Sequence, residues 1–205
     1  MKDDRDWIPG PVDLDWIESL ASVPPAALAI EAAAEPTGVP IVDRATGRTL
    51  AALAAGRRRI VEVGTAYGYS TLWLAMGQPA DGTIVTIDPD RERTDLARGW
   101  WRQAGIEDAR ITQVTARARE AFVADDPALR GPFDLAFIDA LKHEYVAYLD
   151  QLIDGGRLAD GALVLADNVL WSGRTSGAPD RPMRTTGPPR PSAPFASAST
   201  RTHAS

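Results

Sequence analysis

Three oxygen-bearing side chains stand just past apolar runs. Asp139 follows Phe133-Asp134-Leu135-Ala136-Phe137-Ile138, and Asp167-Asn168 follows Ala162-Leu163-Val164-Leu165-Ala166. If the two runs are neighbouring parallel strands, about 4.8 Å apart, their ends converge on one point. Two carboxylates and an amide oxygen are hard donors, suited to Mg²⁺ or Mn²⁺ with waters or substrate oxygens filling an octahedron. The purely structural alternative is that Asp167-Asn168 forms a turn and Asp139 caps a helix. The three together favour the ion. Lys142, three residues beyond Asp139, brings an amine to the same strand end. Helix starts disfavour a cation there, which singles it out against an ordinary surface lysine. His143 has no evident partner and is more simply a surface residue.

A second group surrounds a glycine turn, Glu62-Val63-Gly64-Thr65-Ala66-Tyr67-Gly68-Tyr69-Ser70. Glycines let the backbone approach a ligand, and a helix start offers free N–H groups. Asp88 lies 20 residues past Gly68, at the end of the next apolar run. A carboxylate there can accept both hydroxyls of a ribose. The turn is neither the dinucleotide G-x-G-x-x-G nor a P-loop with its lysine. Turn and acid together point to a nucleoside ligand.

The elements that must position these groups alternate. Short apolar runs at 59–63, 83–88, 110–114, 133–139 and 162–167 read as strands. Between and after them, 70–77, 90–104, 117–124 and 143–154 read as helices. That rhythm predicts an α/β fold, a doubly wound, mostly parallel sheet with helices on both faces. The unbroken apolar character of the last two strands predicts cover on both faces. Upstream, 13–35 reads as one or two helices broken at Pro24-Pro25, with Val12, Leu14, Ile17 and Leu20 forming an amphipathic run. Pro36–Pro40 reads as a loop and 44–55 as a helix. Trp73, Trp100 and Trp101 read as core or interface residues.

Composition narrows the function classes. The 205-residue chain has no cysteine and two histidines, which excludes disulfide scaffolds, cysteine nucleophiles and thiolate or multi-histidine metal sites. A net charge of −6 argues against a general nucleic-acid binder. The charged N-terminus and the lack of a long apolar run predict a cytoplasmic protein without signal peptide or membrane span. From Arg174 to Ser205 five arginines face one acid, so this stretch is +4 and residues 1–173 carry −10. Rich in Pro, Ser and Thr, it reads as disordered. The expected organisation is an N-terminal helical segment (1–40), a core (41–173) and a tail (174–205).

Three motifs in order carry a resemblance: Val61–Ser70, then Phe133–Lys142 with Tyr145, then Ala166-Asp167-Asn168-Val169-Leu170-Trp171-Ser172-Gly173. From about Val39 to Gly173 the sequence resembles the cation-dependent O-methyltransferases of the catechol and caffeoyl-CoA type, which are Rossmann-like and use S-adenosylmethionine. The resemblance implies that Val42, Glu62, Gly64, Thr65 and Ser70 hold the methionine end of the cofactor. It assigns Asp88 to the ribose and Ala118 to the adenine. Asp139, Asp167 and Asn168 match the ligands of Mg²⁺ (with Mn²⁺ or Ca²⁺ as substitutes), and Asp139 lies close to the cofactor as well. Lys142 matches the general base. The implied acceptor is a small aromatic with vicinal hydroxyls, and relatives are commonly homodimers.

The chemistry is coherent. A phenol titrates near 10, and only the phenolate attacks a methyl group well. Bringing that value to about 7 takes roughly 4 kcal/mol of preferential phenolate stabilisation, within reach of a divalent cation. A lysine of depressed pKa beside the cation would take the proton. Two departures stand out. Ala116-Arg117-Ala118 occupies the place of Gly-Asp-Ala in many relatives, and the composition breaks near residue 174, where relatives continue into a helix and two strands. The expectation is a sheet lacking that strand pair, its native ending lost near residue 174 through a frame change. The competing expectation for function is a truncated relative that binds cofactor but turns over weakly or not at all.

Overall fold

The computed structural model describes residues 10–169. The expectations for 174–205, including the lost ending, lie outside the described residues. Five parallel strands form one sheet: β1 (Arg59–Val63), β2 (Thr83–Ile87), β3 (Ile111–Val114), β4 (Phe133–Ile138) and β5 (Leu158–Ala166). Their order is β3-β2-β1-β4-β5, so the chain winds outward from β1 in both directions. Helices α1 (Pro11–Ser19), α2 (Pro25–Thr37) and α3 (Arg44–Ala54) precede the sheet, and α4 (Tyr69–Gly77), α5 (Arg91–Gln103), α6 (Ala118–Val123) and α7 (Tyr145–Ile153) link or follow its strands.

Strand alternation divides the core. Ile60, Ile84, Ile111, Leu135 and Phe137 point into one apolar cluster, which α2, α3, α4 and α5 cover. Their neighbours Val61, Val85, Val114 and Ala136 point into the other, under α6 and α7. Strands β1, β2 and β4 are therefore covered on both faces, as expected of parallel strands. Trp73 and Trp101 are core residues, and α2 contributes Ala26, Ala27 and Ile30 to the first cluster. Among the described residues no helix is long and apolar enough to cross a membrane.

Four local readings are corrected. β5 is not covered on both faces: it is the last strand of the sheet among the described residues, and Val164 is 39% exposed. It also begins at Leu158 rather than 162, because Asp160-Gly161, with Gly161 at φ 73, interrupts the apolar signal where the pairing with β4 shifts register. Pro36 lies inside the last turn of α2, not in a loop; Thr37 Oγ1 donates to the Ala33 and Ala34 carbonyls there, and Gly38 closes the helix at φ 65. Lastly, Val12, Leu14, Ile17 and Leu20 are all exposed. Val12 and Leu14, two positions apart, point about 200° apart on a helix, so the run makes no single stripe.

Candidate active site

The strands end at a common rim, and a cavity of about 710 Å³ opens there. Its floor is the β1–α4 turn. Gly64 holds φ 104, and a Cβ on it would lie 2.2 Å from the backbone oxygen of Asp139. Only glycine lets the ends of β1 and β4 approach so closely. Gly68, at φ 73, starts α4 against the ring of Trp101, whose Nε1 donates to the Gly68 carbonyl over 2.9 Å. The predicted turn is thus clamped between β4 and α5.

Asp88, just past β2, braces that turn from the side. Its Oδ2 accepts from the backbone N–H of Thr65 (3.2 Å) and Ala66 (2.9 Å), and its Oδ1 accepts from Asp90 N–H at 2.9 Å. Val42, Gly64, Thr65, Ser70, Asp88, Ala118 and Asp139 all line the cavity. Glu62 does not. It is fully buried behind Ser70. Its carboxylate accepts from the hydroxyls of Ser70 (2.6 Å), Thr71 and Thr86 (2.6 Å). The Thr86 oxygen, its proton given to Glu62, accepts from Thr65 at 2.6 Å. With Glu62 charged, the hydroxyl protons of Ser70 and Thr65 are thus spent on this network. Burial pushes Glu62 up to about 7, against the pull of those hydroxyls.

Asp139 and Asp167 stand at the ends of neighbouring strands. β4 and β5 are neighbours with Ile138 opposite Ala166, and Asp167 N–H donates to the Ile138 carbonyl at 3.0 Å. Asp139, Lys142, Asp167 and Asn168 all reach the same cavity. Lys142 Nζ donates to Asp139 Oδ1 at 2.6 Å and to the Tyr145 hydroxyl, which donates in turn to the Asp167 carbonyl at 3.0 Å. The Asn168 amide donates to Asp167 Oδ2 from a left-handed backbone at φ 56. Lys142 sits in a single 3₁₀ turn, Lys142–Glu144, ahead of α7. His143 in that turn is exposed and not part of the cavity wall.

The expectation of a depressed Lys142 is not met. Burial acts to lower its pKa, but the oxygens of Asp139 and Tyr145 hold the ammonium and the net shift is upward. Asp167 is also raised, first by burial and then by the charge of Asp139. Two half-buried carboxylates that repel each other, with an amide beside them, are a donor set suited to a hard cation. Among the described residues no group of three or more His, Cys, Asp or Glu gathers, so the set reaches three only through Asn168. The sequence reading missed Asp43, Thr46, Arg93, Arg117 and Glu144 in the wall. Arg117 was visible only as a departure from a motif, and the others carry no local signal.

Comparison with known proteins adds three findings. The profile of an O-methyltransferase family matches residues 31–187. Catechol O-methyltransferase of Mycobacterium tuberculosis is 38% identical over 173 residues, 80% of this chain and 75% of that one. Tricin synthase 1 of Oryza sativa subsp. japonica is 38% identical over 133 residues, 63% of this chain and 52% of its own. The chain thus spans about half the length of the plant relatives it matches. Among solved structures, the O-methyltransferase TomG from Streptomyces achromogenes in complex with SAM superposes with a TM-score of 0.72 at 31% identity, covering 89% of this chain and 81% of that one.

Proposed function

The chain belongs to the O-methyltransferase family, and from that premise we propose that it methylates one of two vicinal hydroxyls on a small aromatic acceptor, using S-adenosylmethionine and a divalent cation. The observation that carries this reading is a single cavity lined by both the Gly64–Ser70 turn with Asp88 and the cluster of Asp139, Lys142, Asp167 and Asn168. Similarity to a catechol O-methyltransferase and to a SAM complex supports the ligand classes. The reading also takes the protein to act in the cytoplasm, as a homodimer, without nucleic acid or membrane. The division at residues 40 and 173 is kept as part of it.

Bound S-adenosylmethionine supplies an electrophilic methyl on sulfur, and a bound cation supplies the charge that favours phenolate over phenol. Asp139, Asp167 and Asn168 would hold the cation, with Mg²⁺ the expected ion. Asp88 lines the cavity and keeps one lone-pair site on Oδ1 beyond those it gives Thr65, Ala66 and Asp90, which a ribose hydroxyl would use. Ser70, its proton given to Glu62, would offer an acceptor to an ammonium group. Val42 and Ala118 give apolar surface at opposite sides, the latter for an adenine. Lys142 is held as an ammonium between Asp139 and Tyr145, so as general base it would first lose a proton to solvent and then take the phenolic proton. What the residues then contribute is alignment, holding methyl and oxygen in line.

The test is methyl transfer to catechol by the full chain, with and without EDTA, alongside calorimetric titration with S-adenosylhomocysteine. Binding plus EDTA-sensitive turnover supports the reading. Activity that survives EDTA, or survives Asp167→Ala, removes the cation from it. Binding without turnover at saturating Mg²⁺ returns the weakly active relative.

A further inference from the structure

We propose that Glu31, which does not touch the cavity, is a positioning residue for its ligand: through Arg44 and Tyr69 it fastens the Pro40–Thr46 wall to α4. The inference rests on the cavity being the S-adenosylmethionine site.

Three elements meet at this carboxylate. Glu31 is on α2, Arg44 is on the first turn of α3, and Tyr69 opens α4. Arg44 grips Glu31 with two bonds, Nε to Oε1 at 2.9 Å and Nη2 to Oε2 at 2.7 Å. The Tyr69 hydroxyl donates to the same Oε1 at 2.7 Å. Planar two-point pairing fixes direction as well as distance. Glu31 keeps 23% of its side chain exposed and Arg44 38%, so the pair lies at the margin of the fold, not in its core.

Both partners border the ligand space. Tyr69 is 2% exposed overall and borders the cavity, and its hydroxyl is bonded to Glu31. Arg44 stands between two lining residues, Asp43 and Thr46, which cap α3 by a 2.7 Å bond from Thr46 N–H to Asp43 Oδ1. The α2–α3 connection that Glu31 and Arg44 span includes Val42, which lines the cavity. That connection begins in the left-handed Gly38. Fixing residue 44 against residue 31 closes it into a loop of defined shape. The ion pair holds Glu31 below the usual carboxylate range, Arg44 acting first and Tyr69 also, so the acceptor stays charged at neutral pH.

Without the carboxylate, Tyr69 loses its acceptor and the wall loses its tie to α2. The sheet and both apolar clusters remain intact. The expected defect is therefore in binding, with the chemical step spared.

The experiment compares the full chain with Glu31→Leu, which removes both acceptor oxygens, and Glu31→Gln, which keeps one for Tyr69. S-adenosylhomocysteine affinity is read by calorimetry and backbone amide exchange by mass spectrometry. We expect Glu31→Leu to bind about 10-fold more weakly, Glu31→Gln to recover much of the loss, and exchange to quicken in 41–47 but not in β1 or β2. KM for S-adenosylmethionine should rise with kcat at saturation unchanged. Affinity within about twofold of the parent in Glu31→Leu overturns the proposal. If the parent chain itself binds no S-adenosylhomocysteine, the cofactor reading fails instead. The tie is then judged by exchange alone, where unchanged rates in 41–47 overturn it and faster ones sustain it.

Discussion

Replacing Gly64 by alanine tests the closest approach in the site. A methyl group there lies 2.2 Å from the Asp139 backbone oxygen, whereas ordinary contact begins at 3.4 Å, so about 1.2 Å must be found. Neither side yields easily. Asp139 N–H is bonded to the Val63 carbonyl at 2.9 Å, and Gly64 N–H to the Ile87 carbonyl at 2.9 Å. Strain from a side chain at φ 104 adds about 1–3 kcal/mol. Overpacking adds about 1–3 kcal/mol more. At 2–4 °C per kcal/mol for a domain of this size, the sum corresponds to a fall in Tm of roughly 5–20 °C. Gly105→Ala is the matched control: φ is 79, but nothing lies within 4 Å of the added carbon. It should show the strain alone, roughly half the fall. Scanning calorimetry of the three proteins measures both. Equal falls for the two variants would refute the close-approach argument, as would a Gly64→Ala chain that binds S-adenosylhomocysteine like the parent.

Glu62 sets a pH dependence of stability. Its folded value of about 7 lies above the unfolded one near 4.5, so its contribution is complete below pH 4.5 and fades as pH rises through 7. Glu62→Gln should therefore gain stability relative to the parent as pH rises from 5 to 8, by up to about 3 kcal/mol; a difference flat in pH contradicts the burial argument. Arg157, 9% exposed, donates to the carbonyls of Leu129, Gln151 and Phe122, so Arg157→Met should cost about 2–4 kcal/mol in urea unfolding. By contrast the exposed Arg102–Asp108 pair should be nearly silent, with Arg102→Ala leaving the urea midpoint where it is in the parent. Asp167→Asn should abolish stimulation by Mg²⁺ while leaving S-adenosylhomocysteine affinity within about threefold.

The sheet was legible because its signal is local. Apolar runs of five or six residues between helical spacings fix β1 to β4 within a residue or so, and Asp88, Asp139 and Asp167 follow the strands by direct continuation. β5 was misplaced at its start because Asp160-Gly161 breaks the run. Lys142 was drawn into a helix because a 3₁₀ turn and an α-helix share their first residues in any periodicity count. The side chains that tie elements together were not legible. Glu31 meets Tyr69 across 38 positions, and Trp101 meets Gly68 across 33, with no spacing rule connecting them. Burial of Glu62 was equally hidden, since an acid next to a glycine turn looks like a ligand contact until Ser70, Thr71 and Thr86 are seen around it.

β5 is zipped to the sheet along one flank only among the described residues, and Asp167 and Asn168 sit at the end of that zip. A ligand that bridges Asp139 and Asp167 staples the loose margin to its neighbour. Linkage makes the relation mutual: a change that favours fraying of the margin weakens the ligand, and ligand occupancy lowers the frayed population by the same factor. The grip of the acidic pair is thus a gauge of how firmly the outermost strand is seated.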